Sequence, residues 1–337
     1  MRFNIRETED SELTAAVAAR WNSLTKPPGS LGRLEELVLQ LALAQGTARP
    51  AVGRRAMVIF CGDHGVTEEG ISAFPKAVTG QMVANFLAGG AAINVLCRQA
   101  GMEPVIVDCG VDGEPVAGTV DRRLGRGTAN FVNGPAMSAE QVEMALENGT
   151  GLARAMACDV AGVGEMGIGN TTAASALLCA YCGVAPEEAV GAGTGLDGAG
   201  VRRKAEVVGR GLARHAGVTD SMGILGAFGG FEIATMTGFL LGAAERRMPV
   251  VVDGFIASAA ALAARAIDGR VMPYLIFSHV SAERPHRRLL AELGVRPVLD
   301  LDMRLGEGSG AALAMPVLAA AVALYEGMAT FGEAGVG

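Results

Sequence analysis

Short apolar runs that end in Gly, Asp, Ser or His, most of them followed by a stretch of helical periodicity, constrain this chain more than any other feature. They lie at 56–62 (AMVIFCG), 104–110 (PVIVDCG), 159–164 (DVAGVG), 189–195 (AVGAGTG), 249–254 (PVVVDG) and 274–279 (YLIFSH), with a weaker one at 296–301 (RPVLDL). A strand that is apolar without alternation is buried on both faces, and strands separated by helices cross over in parallel. The expectation is an α/β fold whose parallel sheet is covered by helices on both faces. Two helices precede the first strand, 11–21 and 31–44, separated by TKPPGS; the second carries Leu34, Leu37, Leu41 and Ala44 at helical spacing. An Ala/Leu/Val-rich helix at 309–328 closes the chain. Together these helices are expected to form a small all-helical domain from both chain ends. That divides the chain into 1–45, a large α/β domain at 46–302, and a loop plus C-terminal helix at 303–337. Ser138-Ala-Glu-Gln141 is a capping box that opens a helix, and Pro75 sits where a first-turn proline is tolerated.

Several function classes fall away on charge and composition. The net charge is −7 and no basic run carries interleaved aromatics, so nucleic acid is not expected as a partner and an anionic ligand must be held locally. The six cysteines, Cys61, Cys97, Cys109, Cys158, Cys179 and Cys182, have no repeated spacing, and no signal-peptide pattern opens the chain. A reducing cytoplasm is expected, with Cys179 and Cys182 as structural thiols late in a helix. Glu245-Arg246-Arg247 and Asp253 interrupt the longest apolar runs, so no segment of about 20 uncharged residues is expected to cross a bilayer, and the chain reads as soluble.

In a parallel sheet, ligands collect where strands end and helices begin. Here those ends carry Asp63, His64, Asp108, Glu165, Asp253, Ser278 and His279, and the Gly/Arg/Asn-rich stretch 110–135 is expected to cover or border the site. One strand end holds GVGEMGIGNTT, residues 162–172. Gly164 to Thr171 matches a P-loop except that Asn170 replaces the lysine that reaches the β- and γ-phosphates. What remains is a helix N-terminus, backbone N–H groups and two threonine hydroxyls, a set suited to a single phosphate. Gly162, Gly164 and Gly167 also spell the dinucleotide fingerprint, yet Glu187 and Glu188 precede the next apolar run instead of ending it. A glycine turn that serves only packing is the third reading.

Glu307 lies between Gly306 and Gly308, just ahead of the last helix. Flanking glycines admit a ligand to the backbone and leave the carboxylate unobstructed, while an acid stabilised by the helix dipole explains the same residue without a ligand. Both readings stand on local sequence. Asp63 and His64 are expected to shape a loop through hydrogen bonds, and no third ligand at metal spacing accompanies them, so no metal is assigned.

Taken together, LTKPPGSLGRLE, GDHGV, FPKAVTGQMVANF, GVGEMGIGNTT, GGFEIATMTG, VVDGFIASAAALAA, SHVSAE and MRLGEGSGAALAMP resemble the nicotinate-nucleotide:dimethylbenzimidazole phosphoribosyltransferases, from about residue 25 to 315. The resemblance implies a Rossmann-like parallel α/β domain, a small domain of helices from both ends, a homodimer, and no cofactor. It implies transfer of phosphoribose from nicotinate mononucleotide to 5,6-dimethylbenzimidazole, with inversion, in cobalamin lower-ligand synthesis. By the same resemblance Glu307 is the general base and Glu165 a second carboxylate near the ribose. Gly167, Ile168, Gly169, Asn170, Thr171, Lys204 and Ser281 then bind phosphate and ribose, and Ser72, Phe74, Gln81 and Met82 form the acceptor pocket. The sequence leaves the acceptor open among benzimidazoles, purines and phenols. Two rival functions use the same residues: an NAD-dependent oxidoreductase built on the three glycines, and a non-catalytic nucleotide sensor, against which the intact GEGSG segment speaks.

Overall fold

The computed structural model describes residues 2–193 and 195–336. Two helices, α1 (Ser11–Ser23) and α2 (Arg33–Gln45), lead into β1 (Arg55–Gly62), α3 (Val78–Ala88), α4 (Ala92–Gln99), β2 (Pro104–Gly110) and β3 (Val120–Asp121). Then come α5 (Ala139–Ala155), β4 (Val160–Met166), α6 (Asn170–Cys182), α7 (Pro186–Ala189), α8 (Gly198–Arg214), α9 (Ser221–Phe228) and α10 (Phe231–Glu245). The remainder is β5 (Val250–Val252), α11 (Phe255–Ile267), β6 (Leu275–Phe277), β7 (His279–Val280), α12 (Arg284–Leu293), β8 (Leu299–Asp300), α13 (Ser309–Gly327) and α14 (Phe331–Ala334). Six strands form one parallel sheet in the order β3-β2-β1-β4-β5-β6, and β7 pairs with β8 in a separate parallel ribbon.

The period-two geometry of a strand sorts its side chains onto two cores. On β1, Val58 and Phe60 enter the core beneath α5, α6, α10 and α11, while Met57, Ile59 and Cys61 enter the core shared with α1, α2, α3, α4 and α13. On β5, Val250 and Val252 go one way and Val251 the other. The terminal helices meet through the edge-on rings of Trp21 and Tyr325, 5.0 Å apart, and through α2 packed on α13. All six cysteines are unpaired.

Two sequence expectations need correction. The run 189–195 is not a strand in its described residues: Pro186 starts the short helix α7, and Gly191, Gly193 and Gly195 then carry an open loop in which the latter two have positive φ. Thr194 of that run lies outside the described residues. Val78–Gln99 and Ser309–Gly327 are long and apolar enough, by length and composition, to cross a bilayer. The first has no charge before Arg98 and breaks at Gly89-Gly90 into α3 and α4, and the second buries Ala311, Met315, Leu318 and Ala321 against the sheet and α2. The stretch 110–135 contributes the edge strand β3 and packs Thr128–Asn130 onto Gly65, so it borders the loop after β1.

Helices α5 and α10 touch backbone to backbone. A Cβ built on Gly149 lies 1.9 Å from the Thr235 carbonyl oxygen. Gly149→Ala is expected to lower stability by about 1–3 kcal/mol through overpacking, read as a lower urea midpoint at unchanged denaturant slope.

Candidate active site

In this strand order β1 leads to β2 on one side and β4 leads to β5 on the other, which opens a crevice beyond the carboxyl ends of β1 and β4. A cavity of about 480 Å³ lies there. Its walls are the turn after β4, the first turn of α11, Ser281 and Glu283 beyond β7, and the 304–307 loop; Phe74, Val78 and Met82 supply an apolar side.

The glycine string resolves into parts with separate jobs. Strand β4 continues through Met166, so Gly162 and Gly164 sit inside the strand, where neither a P-loop nor a dinucleotide loop would place them. A Cβ on Gly162 would meet the Met57 side chain at 2.6 Å, and one on Gly164 would meet the Gly308 backbone nitrogen at 2.3 Å. Both spacing matches are therefore products of close packing. The working turn is Gly167-Ile168-Gly169, with Gly169 at φ 97° as the N-cap of α6. No side chain caps that helix, and its N-terminus faces both the large cavity and an adjoining recess of about 30 Å³.

Lys204, from α8, closes this recess. Its ammonium donates to Thr171 Oγ1 at 2.7 Å. The residue is only 1% exposed, and burial lowers its pKa to about 8 against the opposing pull of Glu283. Gly167, Ile168, Gly169, Asn170, Thr171 and Lys204 thus share one recess, with Ser72 at its rim. Glu165, Ser281, Phe74, Met82 and Glu307 line the large cavity. Gln81 lies exposed on α3 and lines neither.

Asp253, not Glu307, caps the last helix. At the end of β5, the Asp253 carboxylate accepts N–H bonds from Gly308 (3.1 Å), Gly310 (2.8 Å) and Ala311 (3.1 Å), so it caps α13. Glu307 makes no cap: it stands at φ 63° with 6% exposure, and its Oε2 has no hydrogen-bond partner among the described residues. Burial raises its pKa, the Ile93 amide opposes this, and Asp253 adds to it. A left-handed, non-glycine residue with one buried carboxyl oxygen unpartnered is a costly arrangement of the kind that clusters at active sites.

Glu165 is held by the Asn170 side-chain amide, yet burial raises its pKa to about 8, with Asp253, Glu232 and Glu307 adding to the rise. Asp63 accepts from the Thr79 hydroxyl (2.7 Å) and the Asp112 amide (2.8 Å), and so shapes its loop as expected. His64 turns instead to Glu232, with Nε2 and Oε1 2.6 Å apart. Sequence reading assigned no role to Glu232, Glu283 or Arg304 and none to Asp253 beyond a strand end. Glu232 had a usable signal, being the one charge near the start of the otherwise apolar GGFEIATMTG; Asp253 had only its place after PVVV.

A phosphoribosyltransferase family model matches residues 7–336. Nicotinate-nucleotide–dimethylbenzimidazole phosphoribosyltransferase of Cupriavidus taiwanensis is 51% identical over 334 residues, which are 97% of this chain and 96% of that protein. The enzyme of the same name from Aromatoleum aromaticum is 49% identical over 332 residues, 97% of this chain and 96% of its own. The crystal structure of CobT from Thermus thermophilus superposes with a TM-score of 0.93 at 46% identity, over 97% of this chain and 99% of that one. Fold, crevice and family match together define an enzyme of the phosphoribosyltransferase class. Within that class, the chain belongs to the nicotinate-nucleotide–dimethylbenzimidazole phosphoribosyltransferase family.

Glu165 also ties stability to pH. Its folded pKa of about 8 lies above the ordinary 4.5. Between these values the unfolded chain has shed a proton that the folded protein keeps, so stability falls as pH rises. Glu165→Gln keeps the neutral shape and is expected to flatten that fall, read as the difference in urea midpoint between about pH 5 and about pH 8.

Proposed function

We propose that this enzyme moves the 5-phosphoribosyl group of nicotinate mononucleotide to 5,6-dimethylbenzimidazole, forming α-ribazole 5′-phosphate and nicotinate for the cobalamin lower ligand. The observation that carries this reading is the Glu307 carboxyl, buried at the large cavity with one oxygen unpartnered among the described residues. The donor phosphate fits the recess at the N-terminus of α6, where helix dipole, Thr171 and the Lys204 ammonium combine without a P-loop lysine. The apolar side made by Phe74, Val78 and Met82 suits a flat bicyclic base.

The bond from C1′ to the pyridinium nitrogen breaks and its electron pair returns to that nitrogen, so nicotinate leaves with a neutral ring nitrogen and needs no acid. One benzimidazole nitrogen bonds to C1′ from the opposite face, which converts a β- into an α-glycosidic link. The proton on the other nitrogen passes to Glu307. A raised carboxyl pKa brings the base nearer to neutral pH, where general-base transfer is efficient. Burial favours the neutral form of Glu165 in the free protein, and a cationic donor beside it favours its ionised form, which then opposes positive charge growing at C1′. Positioning of both substrates supplies the rest of the rate. A homodimer, on the resemblance, and a cytoplasmic setting, on the scattered cysteines, complete the reading.

Mixing the purified protein with both substrates and finding α-ribazole phosphate by mass tests the assignment; no product at any acceptor concentration removes it. For Glu307→Gln, turnover is expected to fall by about 10²- to 10⁴-fold with donor binding retained, measured by single-turnover kinetics and calorimetry. Lys204 is charged below about 8 and neutral above it. The donor KM is therefore expected to rise as pH increases through that value, while Lys204→Met shows a high KM with no such dependence.

A further inference from the structure

Between the acceptor wall and the phosphate turn runs a buried hydrogen-bond chain that the reaction does not use. Thr79, fully buried in the first turn of α3, donates its hydroxyl proton to Asp63 Oδ1 at 2.7 Å. The Thr79 hydroxyl oxygen in turn accepts the backbone N–H of Ile168 at 3.1 Å. Asp63 is itself fixed at the end of β1, where its other oxygen accepts the Asp112 amide at 2.8 Å. Because its proton is committed to a carboxylate, Thr79 Oγ1 presents only lone pairs to Ile168 and can act there as nothing but an acceptor. Ile168 is the centre of the Gly167-Ile168-Gly169 turn and is 4% exposed, so this N–H has no access to bulk water.

The turn is hemmed in on its other sides. A Cβ on Gly167 would lie 2.3 Å from the Gly62 carbonyl oxygen, and one on Gly169 would lie 2.8 Å from the Thr67 methyl. Packing therefore fixes where the turn can be, and Thr79 fixes how its central peptide is rotated. The residues around Thr79 on the same helix, Val78 and Met82, face the large cavity.

We propose that Thr79 is a positioning residue that sets the orientation of the 167–169 turn and so of the donor phosphate, from the helix that also walls the acceptor side. The proposal rests on the donor site assigned above. It needs no contact between Thr79 and either substrate.

The test compares Thr79→Val, which keeps the shape and removes the hydroxyl, with Thr79→Ser, which keeps the hydroxyl. Binding of nicotinate mononucleotide is read by calorimetry and turnover separately. Thr79→Val is expected to weaken donor binding about ten-fold, the scale of one buried hydrogen bond left unmade, with the acceptor KM within about two-fold of wild type; Thr79→Ser is expected to bind the donor like wild type. If Thr79→Val does not fold, Thr79→Ala is read in its place with the same expectation. Wild-type donor affinity in the hydroxyl-free variant overturns the proposal, as does a Thr79→Ser defect equal to that of Thr79→Val. Failure of both Val and Ala variants to fold makes the hydroxyl a folding requirement and overturns it as well. A wild-type protein that binds the donor but forms no product removes the transfer reaction and leaves this proposal standing on binding; one that does not bind the donor removes both.

Discussion

Gly164 has no side chain, and the peptide of Gly308 occupies the space into which one would project, 2.3 Å from the position of an added Cβ. This contact joins the central strand β4 to the loop that carries Glu307. Asp253 locks it by taking three N–H groups of the same segment, so the neighbouring strands β4 and β5 together hold one helix start. Helix α13 runs from that point into the cluster it shares with α1 and α2. The helices from the chain ends are thereby referred to the sheet through the site itself, and the geometry of Glu307 follows from backbone packing instead of from its own hydrogen bonds.

Buried charged groups gather around the cavity. Glu165, Glu307, Asp253 and Glu232 gather near the ends of β4 and β5, where burial favours the neutral forms of the first three and neighbouring carboxylates add to the shifts of Glu165 and Glu307. Lys204 lies in the adjoining recess with its ammonium on Thr171, under the pull of Glu283. Such a site pays in stability for its electrostatics, which is the usual trade at a functional centre.

Much of the sheet was legible because buried parallel strands are written as unbroken apolar runs. The runs at 56–62, 104–110, 159–164, 249–254 and 274–279 all contain sheet strands, and the weak run at 296–301 contains β8. The run 189–195 misled because alanine and glycine are apolar without favouring extended backbone, and its lone Val190 could not decide the matter. Two-residue β3 was invisible, being set by pairing with β2 instead of by its own composition. At the site, the residues of the 167–171 turn and Lys204 do come together, whereas Gln81 lies on the outer face of its helix. A motif string fixes which residues stand near one another in the chain, but the side on which each one faces depends on helix phase.

By itself the sequence determined the parallel α/β sheet, the terminal helices, and a short list of polar groups at strand ends, since these depend on local periodicity and on where apolar runs stop. Only the tertiary structure decided what the glycines of 162–169 are for. Close approach between segments far apart in the chain, such as Gly164 and Gly308, leaves no local trace beyond the absence of a side chain. The same holds for the cap that Asp253 places on α13 and for the hydroxyl that Thr79 offers to Ile168. Each is a contact between residues that no period in the chain connects, so it exists only once the sheet has brought its strand ends side by side.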